Sequence, residues 1–158
     1  MTVCQSEGVS YDPRGLEALV FTADGDMRQA LNNLQSTFSG FGHVNQESVF
    51  KVCDQPHPMV VAAVVKQCLA VDYDGAWRSL KQLLDSGYSP VDVVTTLFRV
   101  VKNYDMNEFL KLEFIRETGL CHMRVGDGVS SPLQLGGMLA RLCRASKVVA
   151  DKAAGRSG

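Results

Sequence analysis

Apolar residues recur at helical spacing in almost every periodic stretch of this chain, and the strict alternation of a half-buried strand is nowhere sustained. Helix start and stop signals frame these stretches. Asp12-Pro13 sets an N-cap and a first-turn proline ahead of Leu16, Leu19, Val20 and Ala23. Asp26 caps a segment running to about Phe38, with Ala30, Leu31 and Leu34 on one face and Gly40 and Gly42 as stops. Asn45 opens a shorter one to about Cys53, carrying Val49 and Phe50. The spacing predicts further helices over Met59 to Val71, Asp74 to Ser86 and Ser89 to about Val101. Ser89-Pro90-Val91-Asp92 is a strong start, combining an N-cap serine, a first-turn proline and a third-position aspartate. Asp105 and Glu108 repeat that device for a helix reaching Gly119, followed by a short helix from Leu120 to Val125 that breaks at Gly126-Asp127-Gly128. A long last helix runs from Ser131-Pro132 to about Val149. The fold class is all-α. Residues 151–158 have nothing to pack and are expected to form a disordered tail.

The best internal boundary is Pro56-His57-Pro58, because each proline disfavours helix at the residue before it and stiffens the connection. With 158 residues, the chain can bury close to about 70% of its unfolded surface, enough for one domain or two small ones. Hydrophobic content of 46% and charged content of 21% are ordinary for a globular protein. No apolar run reaches the length of a membrane span, and the N-terminus lacks the basic start and apolar core of a secretion signal. The five cysteines, Cys4, Cys53, Cys68, Cys121 and Cys143, are odd in number with no Cys-x-x-Cys pair, which points to a reducing compartment, cytosol or nucleus. Net charge is -1 but uneven: residues 1–98 hold six basic and eleven acidic groups, residues 99–158 ten basic and six acidic. That is too dilute for a dedicated nucleic-acid domain, though it permits a basic inner surface in an assembly.

Arg28 breaks a local rule. It stands in the first turn of the helix capped by Asp26, beside unpaired N–H groups and the positive end of the helix dipole, where a cation is disfavoured by a few tenths of a kcal/mol up to about 1. An arginine and a helix N-terminus converging on one point make a phosphate site. The alternative is a surface arginine paired with Asp24 or Glu17. Other chemistry is poorly supported. Cys121-His122 are neighbours on a helix, about 100° apart, and no zinc spacing or base accompanies them. A hydrolase using Cys121 or Cys143 has nothing further behind it. His57 reads as a linker residue, and Asp72, Asp74 and Asp85 as caps and a solvated face. Trp77, with Tyr73 and Tyr88, could form an aromatic patch, but its register with Leu80 and Leu84 points to core packing. Arg99, Arg141 and Arg144 edge apolar faces, as snorkelling groups or as the rim of an interface.

The stretch Gly25-Asp26-Met27-Arg28-Gln29-Ala30-Leu31-Asn32-Asn33-Leu34-Gln35-Ser36-Thr37 resembles the sensor 2 segment of the small subunits of replication factor C, the eukaryotic sliding-clamp loader of the AAA+ ATPase class. Val49-Phe50-Lys51-Val52-Cys53-Asp54-Gln55-Pro56-His57-Pro58, Gly87-Tyr88-Ser89-Pro90, Phe98-Arg99-Val100, Leu112-Glu113-Phe114-Ile115, His122-Met123-Arg124, Leu133-Gln134-Leu135 and Leu139-Ala140-Arg141-Leu142 continue the resemblance, which covers roughly residues 8 to 145. The family's phosphate loop ending in Gly-Lys-Ser/Thr is absent, since no glycine here precedes a lysine. The acidic pair that holds magnesium and the Ser-Arg-Cys arginine-finger motif are absent too. The chain therefore resembles the C-terminal part of such a subunit, with Met1 expected inside the first lid helix. The resemblance implies a partial lid domain over residues 1–55 and a helical-bundle collar over 56–150. It implies nucleotide-binding positions at Arg28, reaching the γ-phosphate, and at Met27 beside it. It implies no metal or cofactor held by this chain alone, with ATP and magnesium bound in the full family.

The implied partners are other replication factor C subunits, joined through the collar in a hetero-pentamer, and through the complex the sliding clamp and primer–template DNA in nuclear replication and repair. No membrane is involved, and the chain by itself is not expected to be an enzyme. The competing reading is a freestanding helical protein–protein interaction module that never meets nucleotide.

Overall fold

The computed structural model describes residues 2–154. Among them lie nine helices and no strand beyond a single bridge. The chain divides into two compact units, residues 1–55 and 56–158.

The first unit holds α1 (Thr2–Ser6), α2 (Pro13–Ala23), α3 (Met27–Phe41) and α4 (Gln46–Cys53). Its core gathers Cys4, Ala18, Leu19, Leu34, Val44, Val49 and Phe50, with Phe21 meeting the Phe50 ring edge-on at a centroid distance of 6.2 Å. The connections before α2 and before α4 run side by side, joined by Val44 N–H to Ser10 O and Asp12 N–H to Val44 O, both 2.9 Å. Gly15 lets α2 lie directly on this crossing. A methyl at Gly15 would collide with the Val44 carbonyl oxygen and lie 3.1 Å from Asn45 Cα, both of them backbone atoms that cannot turn aside. Asn45 and Ser48 complete a reciprocal capping box at the start of α4.

The second unit holds α5 (Pro58–Leu69), α6 (Tyr73–Asp85), α7 (Pro90–Asn103), α8 (Glu108–Gly126) and α9 (Pro132–Ala154). α5 packs on α6, α7 and α9, and α8 packs between α7 and α9. α7 buries Val93, Val94, Thr96, Leu97, Val100 and Val101, a face wide enough to serve α5 and α8 at once. His57, expected as a linker residue, is the N-cap of α5, its Nδ1 accepting from Met59 N–H at 3.2 Å. Asp72 caps α6 by accepting from Gly75 N–H at 2.9 Å.

Three boundaries differ from the sequence expectation. α8 is one helix through Gly119, because Phe114, Thr118, Cys121 and Val125 keep its buried face continuous while Gly119 lies off that face with nothing crowding it. The cap of α8 is Asn107, whose side chain accepts from Phe109 N–H at 3.1 Å, in place of Asp105. α9 continues to Ala154, so residues 151–154 are helical where a disordered tail was expected. The remainder of that tail, residues 155–158, and Met1 lie outside the described residues.

Val71, between α5 and α6, has φ 60, a left-handed conformation that a β-branched residue adopts only under strain. Asp72 N–H reaches back to Gln67 O at 2.9 Å across this turn, the helix-ending pattern that favours glycine. Val71→Gly is expected to stabilise the second unit by about 0.5–1 kcal/mol. Gly15→Ala is expected to destabilise the first by about 2–4 kcal/mol through the backbone collision. Urea unfolding of the two variants and the parent chain measures both.

Candidate functional site

Arg28 is the second residue of α3 and its side chain is exposed. Among the described residues the guanidinium has neither an ion pair nor a hydrogen bond, so the expected alternative pairing with Asp24 or Glu17 does not occur. The helix end beside it is already occupied by an anion. Asp26 Oδ1 accepts from Arg28 N–H at 2.8 Å and from Gln29 N–H at 3.3 Å, neutralising the amides that would otherwise face a phosphate. The arrangement therefore offers an exposed cation at a capped helix end, and a phosphate meeting it gains charge and donors from the guanidinium alone. Met27 is adjacent and 72% exposed.

The motif around Arg28 has structural work as well. Asn33 is buried and its Nδ2 donates to Thr22 Oγ1 at 3.3 Å, while Gln29 Nε2 donates to Asn33 Oδ1 at 2.8 Å. This chain of side chains locks α3 onto α2 and so fixes where Arg28 projects from its unit. Val20, Met27 and Leu31 stand exposed along an apolar groove that α1, α2 and α3 line together.

The three cysteines of the second unit, Cys68, Cys121 and Cys143, are poor nucleophiles. Burial pushes the Cys68 and Cys143 thiols up. Burial does the same to Cys121, partly opposed by the Arg141 and Arg124 guanidiniums. Cys121 is buried and its neighbour His122 is exposed, bonded through Nε2 to Thr95 Oγ1 at 3.0 Å, so the two do not act on one site. No group of His, Cys, Asp and Glu suited to a metal ion occurs among the described residues. Trp77 and Tyr88 pack against the core, as their register suggests, and Tyr73 stays partly exposed. Arg141, placed by its sequence at the edge of an apolar face, holds a buried partner that sequence reasoning missed. Its Nε lies 2.7 Å from Glu117 Oε2, and Glu117 also meets Arg116 at 3.7 Å. The only available signal was a glutamate falling on the buried face of α8.

α8 presents the opposite picture on its outer side. Phe109, Leu112 and Met123 are exposed there, the last two at 63% and 64%, and helical spacing sets them on one stripe. By contrast the wide faces of α7 and α9 are consumed inside the unit, where Leu135, Met138, Leu139 and Leu142 are fully buried.

Residues 56–141, which comprise α5 to α8 and the first half of α9, match the Replication factor C C-terminal domain. The chain belongs to the replication factor C family. It is 64% identical over 142 residues to replication factor C subunit 2 of Arabidopsis thaliana, an alignment covering 90% of this chain and 43% of that protein. It is 64% identical over 141 residues to replication factor C subunit 4 of Oryza sativa subsp. japonica, covering 89% and 42%. Against replication factor C subunit 4 of Saccharomyces cerevisiae it is 48% identical over 144 residues, covering 90% and 44%. The chain thus spans less than half the length of these replication factor C relatives. No helix among the described residues is long and apolar enough to cross a membrane.

Arg28→Ala is expected to change the stability of the first unit by no more than about 0.5 kcal/mol, since it removes an unpaired cation from an unfavourable helix end. Asp26→Ala is expected to cost about 1 kcal/mol by uncapping α3. Thermal unfolding followed by circular dichroism compares the two. Alkylation by iodoacetamide at about pH 8 is expected to spare Cys68, Cys121 and Cys143 in the folded chain, because their raised pKa values keep them protonated and burial excludes the reagent. Mass spectrometry with and without guanidinium reads this out.

Proposed function

We propose that this chain supplies the lid and collar of a replication factor C small subunit. In this reading the five-helix unit joins neighbouring subunits, and the unit carrying Arg28 answers to nucleotide. The assembled complex loads the sliding clamp onto primer–template DNA in replication and repair, in the nucleus. The observation that carries the reading is the family match across the five helices of the second unit, joined to a free Arg28 in the first.

Arg28 is the group suited to sensing phosphate. It is exposed and unpaired, and α3 is tied to α2 through Asn33, so a pull on the guanidinium moves a rigid element and not a loop. The residues present fit a phosphate at one point only, because Asp26 holds the first-turn amides. ATP with magnesium supplies the negative charge that draws Arg28, and an ATPase domain of the same subunit holds both. Met27, beside it, would border the nucleotide. Nothing in the chain replaces a phosphate loop, so it does not hydrolyse ATP by itself.

For assembly, the outer stripe of α8 is the surface best suited to a neighbouring collar. It spans Phe109 to Met123, roughly 20 Å along the helix, and sets three exposed apolar side chains around Arg116, which pairs with Glu113.

Isothermal titration of this chain with Mg-ATP is expected to show no saturable site tighter than about 10 μM, because a single arginine cannot supply that affinity. A tighter site contradicts the proposal. Co-expression with other replication factor C small subunits is expected to yield a complex by analytical ultracentrifugation, and Leu112→Asp with Met123→Asp to abolish it without unfolding the chain. A monomer indifferent to those partners at tens of micromolar favours a freestanding helical interaction module.

A further inference from the structure

Ser10 and Asp12 flank Tyr11 in the connection before α2, and His43 lies in the connection before α4 that runs beside it. Extended backbone sends successive side chains to opposite faces, so Tyr11 packs on the core while Ser10 and Asp12 share the outer side. His43 stands between them there. Its Nδ1 is 2.8 Å from Ser10 Oγ, and its Nε2 is 3.4 Å from Asp12 Oδ1.

This arrangement takes away a helix cap. Asp12 is the N-cap of α2, yet its side chain accepts from no first-turn amide, whereas the N-cap side chains of α3 to α8 all do. The carboxylate is turned to His43 instead, and a local rule broken without local gain marks a candidate functional group. The crossing has a tie of its own in the two backbone hydrogen bonds at Val44.

The placement of the protons follows from the partners. A carboxylate only accepts, so Nε2 carries the imidazole hydrogen, and the Nδ1 lone pair is left to accept from the Ser10 hydroxyl. A hydroxyl bonded to a base that is itself oriented by a carboxylate is the constellation of an activated serine. The amide that follows the serine, Tyr11 N–H, has no hydrogen-bond partner among the described residues. It is a donor open to the oxygen that gains charge when an acyl carbon is attacked.

We infer that Ser10 is a nucleophile activated by His43, with Asp12 as the positioning residue, and that it accepts acyl groups from small activated esters. Ser10 Oγ forms a bond to the acyl carbon, and the bond from that carbon to the leaving oxygen breaks. The serine proton passes by way of His43 Nδ1 to the leaving oxygen. The Asp12 side chain is 57% exposed and that of His43 41%, so the donor is one that reacts from solvent without being enclosed. These residues are separate from Arg28 and from the α8 stripe, and the inference rests on neither reading.

The chain is treated with para-nitrophenyl acetate at neutral pH, and the acetylated residues are mapped by peptide mass spectrometry over time. Ser130 and Ser131, exposed serines with no histidine bonded to them among the described residues, are references within the same molecule. Acetylation of Ser10 is expected to outpace theirs by at least about tenfold. His43→Gln, which still offers Ser10 a hydrogen bond but cannot take its proton, is expected to bring Ser10 down to the reference rate. Asp12→Asn is expected to slow Ser10 by at least about tenfold and Asp12→Glu to restore most of the rate, a pattern that a merely structural tie does not produce. Circular dichroism checks the fold of each variant, and the comparison of serines within the parent chain stands without them. Acetylation of Ser10 no faster than that of Ser130 and Ser131, or a rate unchanged by His43→Gln or by Asp12→Asn, overturns the proposal.

Discussion

Helices of eight to fifteen residues are marginal on their own in water, and most helices of this chain are that short, so each depends on burying its one apolar stripe against a neighbour. In the second unit α7 meets that constraint from the middle, touching α5 with one side and α8 with the other. In the first unit the same constraint is met by close approach. α2 can reach the Val44 crossing only because Gly15 has no side chain, and that contact holds α4 against α2. Everything proposed about function presumes these two solutions, since the groups of interest are carried on elements that exist only when packed.

Polar groups inside the helical layers then decide register. A purely apolar stripe tolerates sliding and rotation, but the Thr22–Asn33–Gln29 chain can form in one alignment of α2 and α3 only. The Glu117–Arg141 pair does the same between α8 and α9, and its desolvation makes it a device of specificity more than of stability. In both cases a buried polar contact fixes what carries an arginine: the α2–α3 lock sets α3 and with it Arg28, and Glu117 holds Arg141.

Much of this was legible from residue patterns. Asp26, Asn45, Asp72 and Ser89 stand as N-caps where their side chains and the apolar spacing behind them indicate. The all-α class follows from the same periodicity. Misreadings arose where a local signal was outweighed by packing. Gly119 reads as a stop, yet α8 runs through it because the buried face continues beyond. Asp105 reads as a cap, but Asn107 is the residue whose geometry closes on Phe109 N–H.

The sequence alone determined the helices, the replication factor C resemblance and the unusual position of Arg28, because capping and hydrophobic period act over a few residues and are written locally. Only the tertiary structure decided which apolar faces are spent inside the unit and which remain, leaving Phe109, Leu112 and Met123 of α8 exposed while the wide face of α7 is buried. It alone brought Trp77, Arg124 and Arg141 to one cleft and set Arg141 against Glu117. Those outcomes depend on which distant segments meet, and a one-dimensional pattern records how wide a face is but not what lies against it.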